Sequence, residues 1–185
     1  MKLIILDRDG VINQDSDDYI KSADEWLPIP GSIEAIARLC QAGYSVTVAT
    51  NQSGLGRELF DLDALEAIHE KMRGLVESAG GHIAGIYYCP HLPTAGCQCR
   101  KPAPGLLDAI ARDFSTSLSG IVFIGDSLKD LQAGVERQCQ PVLVRTGKGT
   151  GTEQKLADQA DEGIRKVKVY DDLAGVVDAL LDKRG

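Results

Sequence analysis

The sequence lacks long apolar runs, is poor in aromatic residues and has no excess of positive charge. Aromatic residues make up 5% of the 185 residues, and the net charge at pH 7 is −7. Without a basic or aromatic stripe, we expect no binding to nucleic acid or to an anionic membrane. No apolar run reaches the ~18 residues that a membrane-spanning helix needs. The run at residues 2–6 is shorter than the ~7–15 residues of a signal-peptide core, so we expect a cytoplasmic protein.

The cysteines are few and odd in number, which argues against a disulfide framework. The chain has five of them: Cys40, Cys89, Cys97, Cys99 and Cys139. Cys40 lies on the apolar face of a predicted helix and Cys139 follows another helix, so we expect both to be structural. The other three fall within residues 89–99, and this clustering indicates a site.

Length and composition predict one ordinary globular domain over residues 1–185. Apolar residues make up 43% of the chain and charged residues 25%, both close to globular averages. A chain of this length fits one domain of typical size. No repeat or linker divides the sequence, and no apolar patch is evident. We therefore expect a single domain and a monomer.

Short apolar segments alternate with segments of helical periodicity along the chain. Strands are predicted at residues 2–6, 45–49, 83–88, 121–124, 141–144 and 167–170. Helices are predicted at residues 32–43, 61–80, 104–114, 129–138 and 173–181, with Ser32 and Asp61 as N-caps. This alternation predicts a doubly wound parallel α/β sheet with helices on both faces. The segments between the strands leave no room for a separate cap domain.

A glycine-rich segment, residues 146–152, follows the fifth predicted strand. It does not match the Walker pattern, and no clear helix begins there. We expect a mobile surface loop, with phosphate or sugar contact at the rim of a site as the alternative.

Polar residues follow three of the predicted strands. Because sites in open α/β sheets form at the carboxyl ends of the strands, these residues should meet at one edge. The set comprises Asp7, Asp9, Thr50, Asn51, Asp126 and Asp130, with Lys101 before the next helix. Carboxylates from different strands suit Mg²⁺, and an aspartate beside a second acid suits phosphoryl transfer. Asp130 is equally compatible with a structural role.

The segment at residues 89–101 contains four residues that could ligate one metal ion. Cys89, His91, Cys97 and Cys99 offer three sulfurs and one imidazole, which suits a closed tetrahedral Zn²⁺ site of structural type. The alternative is a set of buried or reactive thiols. His69 and His82 have no partner pattern and are expected at the surface or on helix flanks.

Four motifs in this order resemble the haloacid dehalogenase superfamily of phosphohydrolases. They are LDRDG at residues 6–10, Thr50 at a strand end, Lys101 in RKPAPG, and GDSLKD at residues 125–130. The resemblance covers most of the chain and implies the haloacid dehalogenase fold. It also implies Asp7 as nucleophile, which forms an aspartyl-phosphate, and Asp9 as general acid and base.

The resemblance further implies the metal ligands and the groups that stabilise the phosphoryl oxygens. Mg²⁺ would bind the carboxylates of Asp7 and Asp126 and the backbone carbonyl of Asp9. Thr50 and Lys101 would stabilise the phosphoryl group.

The phosphatase motifs combined with a CPH…CxCRKP loop are similar to the heptose 1,7-bisphosphate 7-phosphatases. DRDGVIN, TNQSG and CRKPAPG, at residues 7–13, 50–54 and 99–105, match that family. The resemblance implies substrate contacts from Asn51, Gln52, Ser53, Arg100, Asp15 and Asp18. One departure is Ser127, because relatives often carry a basic residue directly after the fourth-motif aspartate. Here Lys129 comes two residues later.

The function implied by this resemblance is removal of the 7-phosphate from a heptose 1,7-bisphosphate. The product, heptose 1-phosphate, would feed nucleotide-activated heptose for lipopolysaccharide or another surface polysaccharide. The anomer of the sugar stays open. Alternatives are a histidinol-phosphate phosphatase, a nucleic-acid 3′-phosphatase, against which the charge counts, and a non-catalytic zinc-stabilised binding protein.

Overall fold

Six parallel strands form one sheet in the computed structural model, which describes residues 2–182. The strands are β1 (Lys2–Leu6), β2 (Tyr44–Asn51), β3 (Ile83–Cys89), β4 (Val122–Gly125), β5 (Gln140–Val144) and β6 (Lys168–Tyr170). Their order across the sheet is β3-β2-β1-β4-β5-β6, and every neighbouring pair is parallel. The predicted doubly wound α/β class is confirmed.

Eight helices lie between the strands or after the last strand within the described residues. They are α1 (Ser32–Gln41), α2 (Ser53–Gly56), α3 (Leu62–Ser78), α4 (Gly105–Asp113), α5 (Leu128–Glu136), α6 (Gly149–Glu153), α7 (Glu162–Arg165) and α8 (Leu173–Asp182). The five longer helices were predicted. The helices α2, α6 and α7 have four or five residues each, too few for apolar periodicity to show.

The alternation of side chains along the strands divides the core between the two faces of the sheet. On one face, Ile4 and Leu6 pack in a cluster with residues of α1, α3 and α8. On the other face, Leu3 and Ile5 pack in a cluster with residues of α4 and α5. Because both faces are covered, the central strands β1 and β4 are almost continuously apolar, as buried parallel strands usually are.

The start of α1 differs from the prediction. Ser32 is not the N-cap: Gly31 holds that position with a left-handed φ of 83°, and no side chain caps the helix. The Ser32 hydroxyl instead donates a hydrogen bond of 2.6 Å to the carbonyl of Ile12, which ties the helix to the loop after β1. The predicted cap at Asp61 is confirmed, since its carboxylate accepts a bond from the Ala64 amide at 2.8 Å.

The strand order places a crevice beyond the carboxyl ends of β1 and β4. From β1 the chain passes to β2 on one side, and β4 lies on the other side of β1. Such a reversal leaves a gap between the connections, where α/β proteins bind ligands. Within residues 2–182, the segments that follow β1 and β2 form no second sheet, and no helix is long and apolar enough to cross a membrane.

Candidate active site

A cleft of about 690 Å³ lies at the carboxyl ends of β1, β2 and β4. It brings together nearly all of the residues that the sequence singled out. The residues that line it include Asp7, Asp9, Asp15, Thr50, Asn51, Gln52, Ser53, Arg100, Lys101 and Asp126. Asp18 is exposed and lies outside this lining, whereas its neighbours Asp17 and Tyr19 are part of it.

Three buried carboxylates meet at the bottom of the cleft. Oxygen atoms of Asp7, Asp126 and Asp130 lie within 4.8 Å of one another. Burial and the neighbouring carboxylate of Asp130 raise the pKa of Asp7, and they raise that of Asp126 to about 7. Burial and mutual repulsion thus disfavour full ionisation of these carboxyl groups. A hard divalent cation bound to their oxygens would offset that repulsion.

Lys101 lies between two of these carboxylates. Its ammonium group is 3.0 Å from Asp7 Oδ1 and 2.6 Å from Asp130 Oδ1, and it donates a 2.7 Å bond to the carbonyl of Ala49. Burial alone would lower the pKa of Lys101, but the two carboxylates outweigh it and raise that pKa. The side chain therefore carries a permanent positive charge next to Asp7.

Asp9 is held by a network of hydrogen bonds. Its carboxylate accepts bonds from the guanidinium of Arg8, from Asn13 Nδ2 at 2.9 Å and from Gln52 Nε2 at 2.8 Å. Burial works to raise the pKa of Asp9, but Arg8 and the hydrogen bonds hold it below its ordinary value. In this arrangement Asp9 is ionised at neutral pH, the form that accepts a proton.

The residues at the end of β2 connect the parts of the cleft. Gln52 Nε2 donates to Thr50 Oγ1 at 2.9 Å as well as to Asp9. The side chain of Asn51 exchanges two bonds with the backbone of Lys101, at 3.0 and 3.1 Å. Asn51 therefore fixes the segment that carries Lys101 in addition to lining the cleft.

The cysteine-rich segment folds into a compact four-ligand cluster. Cys89 Sγ lies 3.7 Å from Cys97 Sγ, which lies 3.6 Å from Cys99 Sγ. The Nδ1 atom of His91 is 3.5 Å from Cys89 Sγ and 3.2 Å from Cys99 Sγ. A tetrahedral site with Zn–S bonds of ~2.3 Å has S···S edges of roughly 3.8 Å, so the donor set fits Zn²⁺. Arg100 and Lys101 follow this cluster directly.

The glycine-rich segment differs from the predicted mobile loop. It contains the short helix α6 and is bonded to the site at three points. The Lys148 amide donates to Asp126 Oδ2 at 2.8 Å, and the Thr152 hydroxyl donates to the Asp126 carbonyl at 2.8 Å. The Thr146 hydroxyl donates to the carbonyl of Gly10 at 2.6 Å. The first two bonds fix Asp126, the third fixes the loop after β1, and the glycines allow the close approach that these bonds need.

The position of His69 also differs from the prediction. It is 1% exposed and contacts Arg8, rather than lying at the surface. His82 is exposed, as predicted, and Cys40 and Cys139 pack against the apolar core. The burial of His69 could have been predicted from helical periodicity, since it follows Leu65 by four residues and lies on the apolar face of α3.

Comparison with known proteins agrees with the fold and with the family that the motifs resemble. The haloacid dehalogenase-like hydrolase family matches residues 2–136, and a HAD-hydrolase-like family matches residues 98–176. The D-glycero-β-D-manno-heptose-1,7-bisphosphate 7-phosphatase of Pseudomonas aeruginosa is 58% identical over 179 residues, which cover 97% of each chain.

Solved structures give the same picture. One is a D,D-heptose 1,7-bisphosphate phosphatase from Bordetella bronchiseptica in complex with magnesium and phosphate. It is 52% identical, superposes with a TM-score of 0.92 and covers 99% of each chain. The corresponding phosphatase from Burkholderia thailandensis is 42% identical with a TM-score of 0.74, over 98% of this chain and 99% of its own.

Proposed function

The chain belongs to the haloacid dehalogenase-like hydrolase family, and we propose that it removes the 7-phosphate of D-glycero-β-D-manno-heptose 1,7-bisphosphate. The substrate is supported by relatives of that name that are 51–58% identical over nearly the whole chain. Their names also favour the β anomer. The product, heptose 1-phosphate, keeps the phosphate that a nucleotide-activating step needs.

The proposed nucleophile is Asp7, and the arrangement around it is the observation that carries the proposal. Its Oδ1 lies 3.0 Å from the Lys101 ammonium at the bottom of the cleft. An oxygen of Asp7 would attack the 7-phosphorus, and the bond from phosphorus to the C7 oxygen would break. The negative charge that develops on the phosphoryl oxygens would be stabilised by Lys101 and by the hydroxyl of Thr50.

Asp9 is proposed to move the proton in both half-reactions. It would donate a proton to the departing C7 oxygen and then accept one from the water that hydrolyses the aspartyl-phosphate. Its anchoring by Arg8, Asn13 and Gln52 gives it a fixed direction. The first role requires that Asp9 be protonated when substrate is bound, and the negative phosphate next to it favours that form.

Magnesium is the proposed catalytic cofactor, supported by the metal in the related Bordetella structure. The carboxylates of Asp7 and Asp126 and the backbone carbonyl of Asp9 would hold it, and Asp130 lies close enough to take part. When bound, Mg²⁺ supplies positive charge that lowers the repulsion between the Asp7 carboxylate and the phosphate.

The rim of the cleft is proposed to select the sugar bisphosphate. Arg100 lines the cleft, and its Nη1 is buried without a hydrogen-bond partner among the described residues, so it is free to donate to a phosphate or hydroxyl group. Further proposed contacts come from the end of β2 and from the loop after β1: Asn51, Gln52, Ser53 and Asp15, which all line the cleft. Asp18 lies outside the lining and is not among them.

A structural Zn²⁺ ion is proposed in the cluster of Cys89, His91, Cys97 and Cys99. Four ligands leave no position for a water, and the segment around them has little apolar content of its own. The ion would order the wall of the cleft that carries Arg100 and Lys101.

We also propose a single-domain monomer that works in the cytoplasm. None of the five cysteines forms a disulfide, which supports a reducing compartment. The net charge of −7 supports a small-molecule substrate rather than nucleic acid or an anionic membrane.

The test is release of phosphate in the presence of Mg²⁺ from both anomers of heptose 1,7-bisphosphate and from histidinol phosphate. We expect a strong preference for the β anomer, with activity lost in Asp7→Asn. A preference for histidinol phosphate would keep the mechanism and refute the substrate. Equal activity of Asp7→Asn and the unchanged protein would refute the nucleophile.

A further inference from the structure

Arg8, which separates Asp7 from Asp9 in the sequence of the loop after β1, is a fully buried arginine. Arg8 is 0% exposed, and its Nη2 lies 2.9 Å from Asp9 Oδ1 and 3.1 Å from Asp9 Oδ2. Its Nε donates to Asp9 Oδ1 at 3.2 Å. Because the donors of a guanidinium are rigid and coplanar, this contact restricts the rotation of the Asp9 carboxylate.

The other side of the Arg8 guanidinium is held by His69 of α3. The Nη1 atom of Arg8 lies 3.3 Å from His69 Nε2. A guanidinium only donates hydrogen bonds, so Nε2 must accept and the ring proton must reside on Nδ1. Burial and the charge of Arg8 lower the pKa of His69 to about 3, which keeps the imidazole neutral.

Because His69 accepts a hydrogen bond without carrying a charge, Asp9 keeps its ion pair with Arg8 without competition. A carboxylate in place of His69 would compete for the guanidinium, and an imidazolium would repel it. A side chain without an acceptor would leave a donor of a buried cation unsatisfied, and Arg8 would shift to find a partner. The imidazole avoids all three outcomes.

We propose that His69 is a positioning residue for phosphate hydrolysis, which holds Arg8 so that Arg8 aims the Asp9 carboxylate at the departing oxygen. The inference rests on the proposed role of Asp9 as general acid and base. His69 does not line the cleft. Its loss should therefore slow proton transfer to the leaving group and leave substrate binding nearly unchanged.

The test compares His69→Gln with His69→Asn. The amide oxygen of glutamine reaches the position of Nε2, whereas that of asparagine stops near the position of Nδ1. The two side chains are otherwise matched in polarity, so a general loss of stability should affect both. Each variant is assayed with Mg²⁺ on the heptose bisphosphate, which has an alkyl leaving group, and on p-nitrophenyl phosphate, which needs little protonation.

We expect His69→Asn to lower kcat on the sugar phosphate about tenfold or more, with KM changed less than about twofold. The loss on p-nitrophenyl phosphate should be smaller, and His69→Gln should recover most of the activity. The leaving-group comparison is made on kcat/KM, which reports formation of the aspartyl-phosphate and not its later hydrolysis, a step that both substrates share. Equal losses of kcat/KM on both substrates, an unaffected His69→Asn, or no recovery in His69→Gln would each overturn the inference.

The outcome for His69 can be separated from the outcome for the proposed substrate. If the unchanged protein prefers another alkyl phosphate, the same comparison is made on that compound and tests His69 equally well. If His69→Asn does not fold, His69→Ala, which also lacks an acceptor at the position of Nε2, takes its place: a selective loss on the alkyl ester supports positioning, and an equal loss on both substrates refutes it.

Discussion

The ammonium group of Lys101 lies 2.6 Å from Oδ1 of Asp130, and both side chains are almost fully buried. The second oxygen of Asp130 accepts bonds from the amide and hydroxyl of Ser127, at 3.0 and 2.8 Å. Asp130 thus closes the N-terminus of α5 with one oxygen and holds Lys101 with the other. The position of Lys101 next to Asp7 therefore depends on where this helix begins.

Replacement of Asp130 by alanine should reduce both stability and activity. It leaves the buried charge of Lys101 with one carboxylate instead of two and removes the helix cap, which should lower the free energy of unfolding by roughly 3 kcal/mol. We also expect kcat to fall at least about tenfold, because Lys101 loses its fixed position. Urea denaturation and steady-state phosphate release measure the two effects.

The control for Asp130→Ala is Asp158→Ala, because Asp158 is an exposed residue in the segment that follows α6. It should change the stability by less than about 0.5 kcal/mol and leave kcat unchanged. If the two variants behave alike, Asp130 has no part in holding Lys101.

The sequence was sufficient to predict the sheet and most of the cleft. Asp7 and Asp126 directly follow apolar strands, and parallel strands bring their carboxyl ends to one edge. The contacts made by side chains from remote segments were not predictable in this way. The bond between Arg8 and His69 joins residues 61 positions apart, and periodicity tells only that His69 lies on the inner stripe of its helix.

The segment at residues 146–152 shows a second limit of prediction from sequence. Glycine and threonine there have low helix propensity and read as a loop. The structure instead bonds the Lys148 amide and the Thr152 hydroxyl to Asp126, and tertiary contacts override the local preference. Such contacts depend on where β5 ends relative to β4, which the sequence does not state.

The effect of Mg²⁺ on stability should increase with pH. Burial and Asp130 raise the pKa of Asp126 from 3.8 to about 7, so the folded protein holds this proton more tightly than the unfolded chain does. The stabilisation of the metal-free fold by this proton is complete below the pKa of Asp126 in the unfolded chain. It is lost as the pH rises through the pKa of Asp126 in the folded protein. Bound Mg²⁺ offsets that loss. We expect the rise in Tm on adding Mg²⁺ to be larger at about pH 8 than at about pH 5.

The matching variant is Asp126→Asn, studied in the metal-free state. Because the amide carries no charge, its gain in stability over the unchanged protein should grow between about pH 4 and pH 7. Thermal melts in the presence of a chelator measure this difference. A gain that stays constant over that range would contradict the assignment of the shifted carboxyl to Asp126.

Removal of the proposed Zn²⁺ ion should abolish activity even when Mg²⁺ is supplied. Arg100 and Lys101 follow Cys99 directly. Disorder in the cluster should therefore displace the ammonium group of Lys101 from its position next to Asp7. We expect Cys97→Ser to lose bound zinc and to lower kcat about 100-fold or more at saturating Mg²⁺. Metal content by mass spectrometry and phosphate release on the same samples test this.

The control for the zinc prediction is Cys139→Ser, since Cys139 is buried but lies outside the cluster. This variant should keep its zinc and its kcat. Full activity of zinc-stripped protein after Mg²⁺ is restored would show that the ion has no part in ordering the wall of the cleft.

Two glycines with nearly the same positive φ should respond very differently to substitution by alanine. Gly10 has a φ of +80°, and a Cβ atom there would lie 2.1 Å from Asp126 Oδ2. Gly43 has a φ of +83°, and a Cβ atom there would meet nothing within 4 Å. Both variants carry the cost of a left-handed alanine, about 1–2 kcal/mol, but only Gly10→Ala displaces the proposed metal ligand.

The comparison of Gly10→Ala with Gly43→Ala therefore separates backbone strain from disruption of the site. We expect Gly43→Ala to lower Tm by a few degrees and to keep kcat and the Mg²⁺ dependence of the unchanged protein. Gly10→Ala should require much more Mg²⁺ and lose about 100-fold in kcat, because Asp126 must rotate away from Asp7. Titration of phosphate release with Mg²⁺ measures both quantities. Equal Mg²⁺ dependence in the two variants would mean that Asp126 does not hold the metal, since a Cβ atom at Gly10 would lie 2.1 Å from Oδ2 and 2.7 Å from Cγ of that carboxylate.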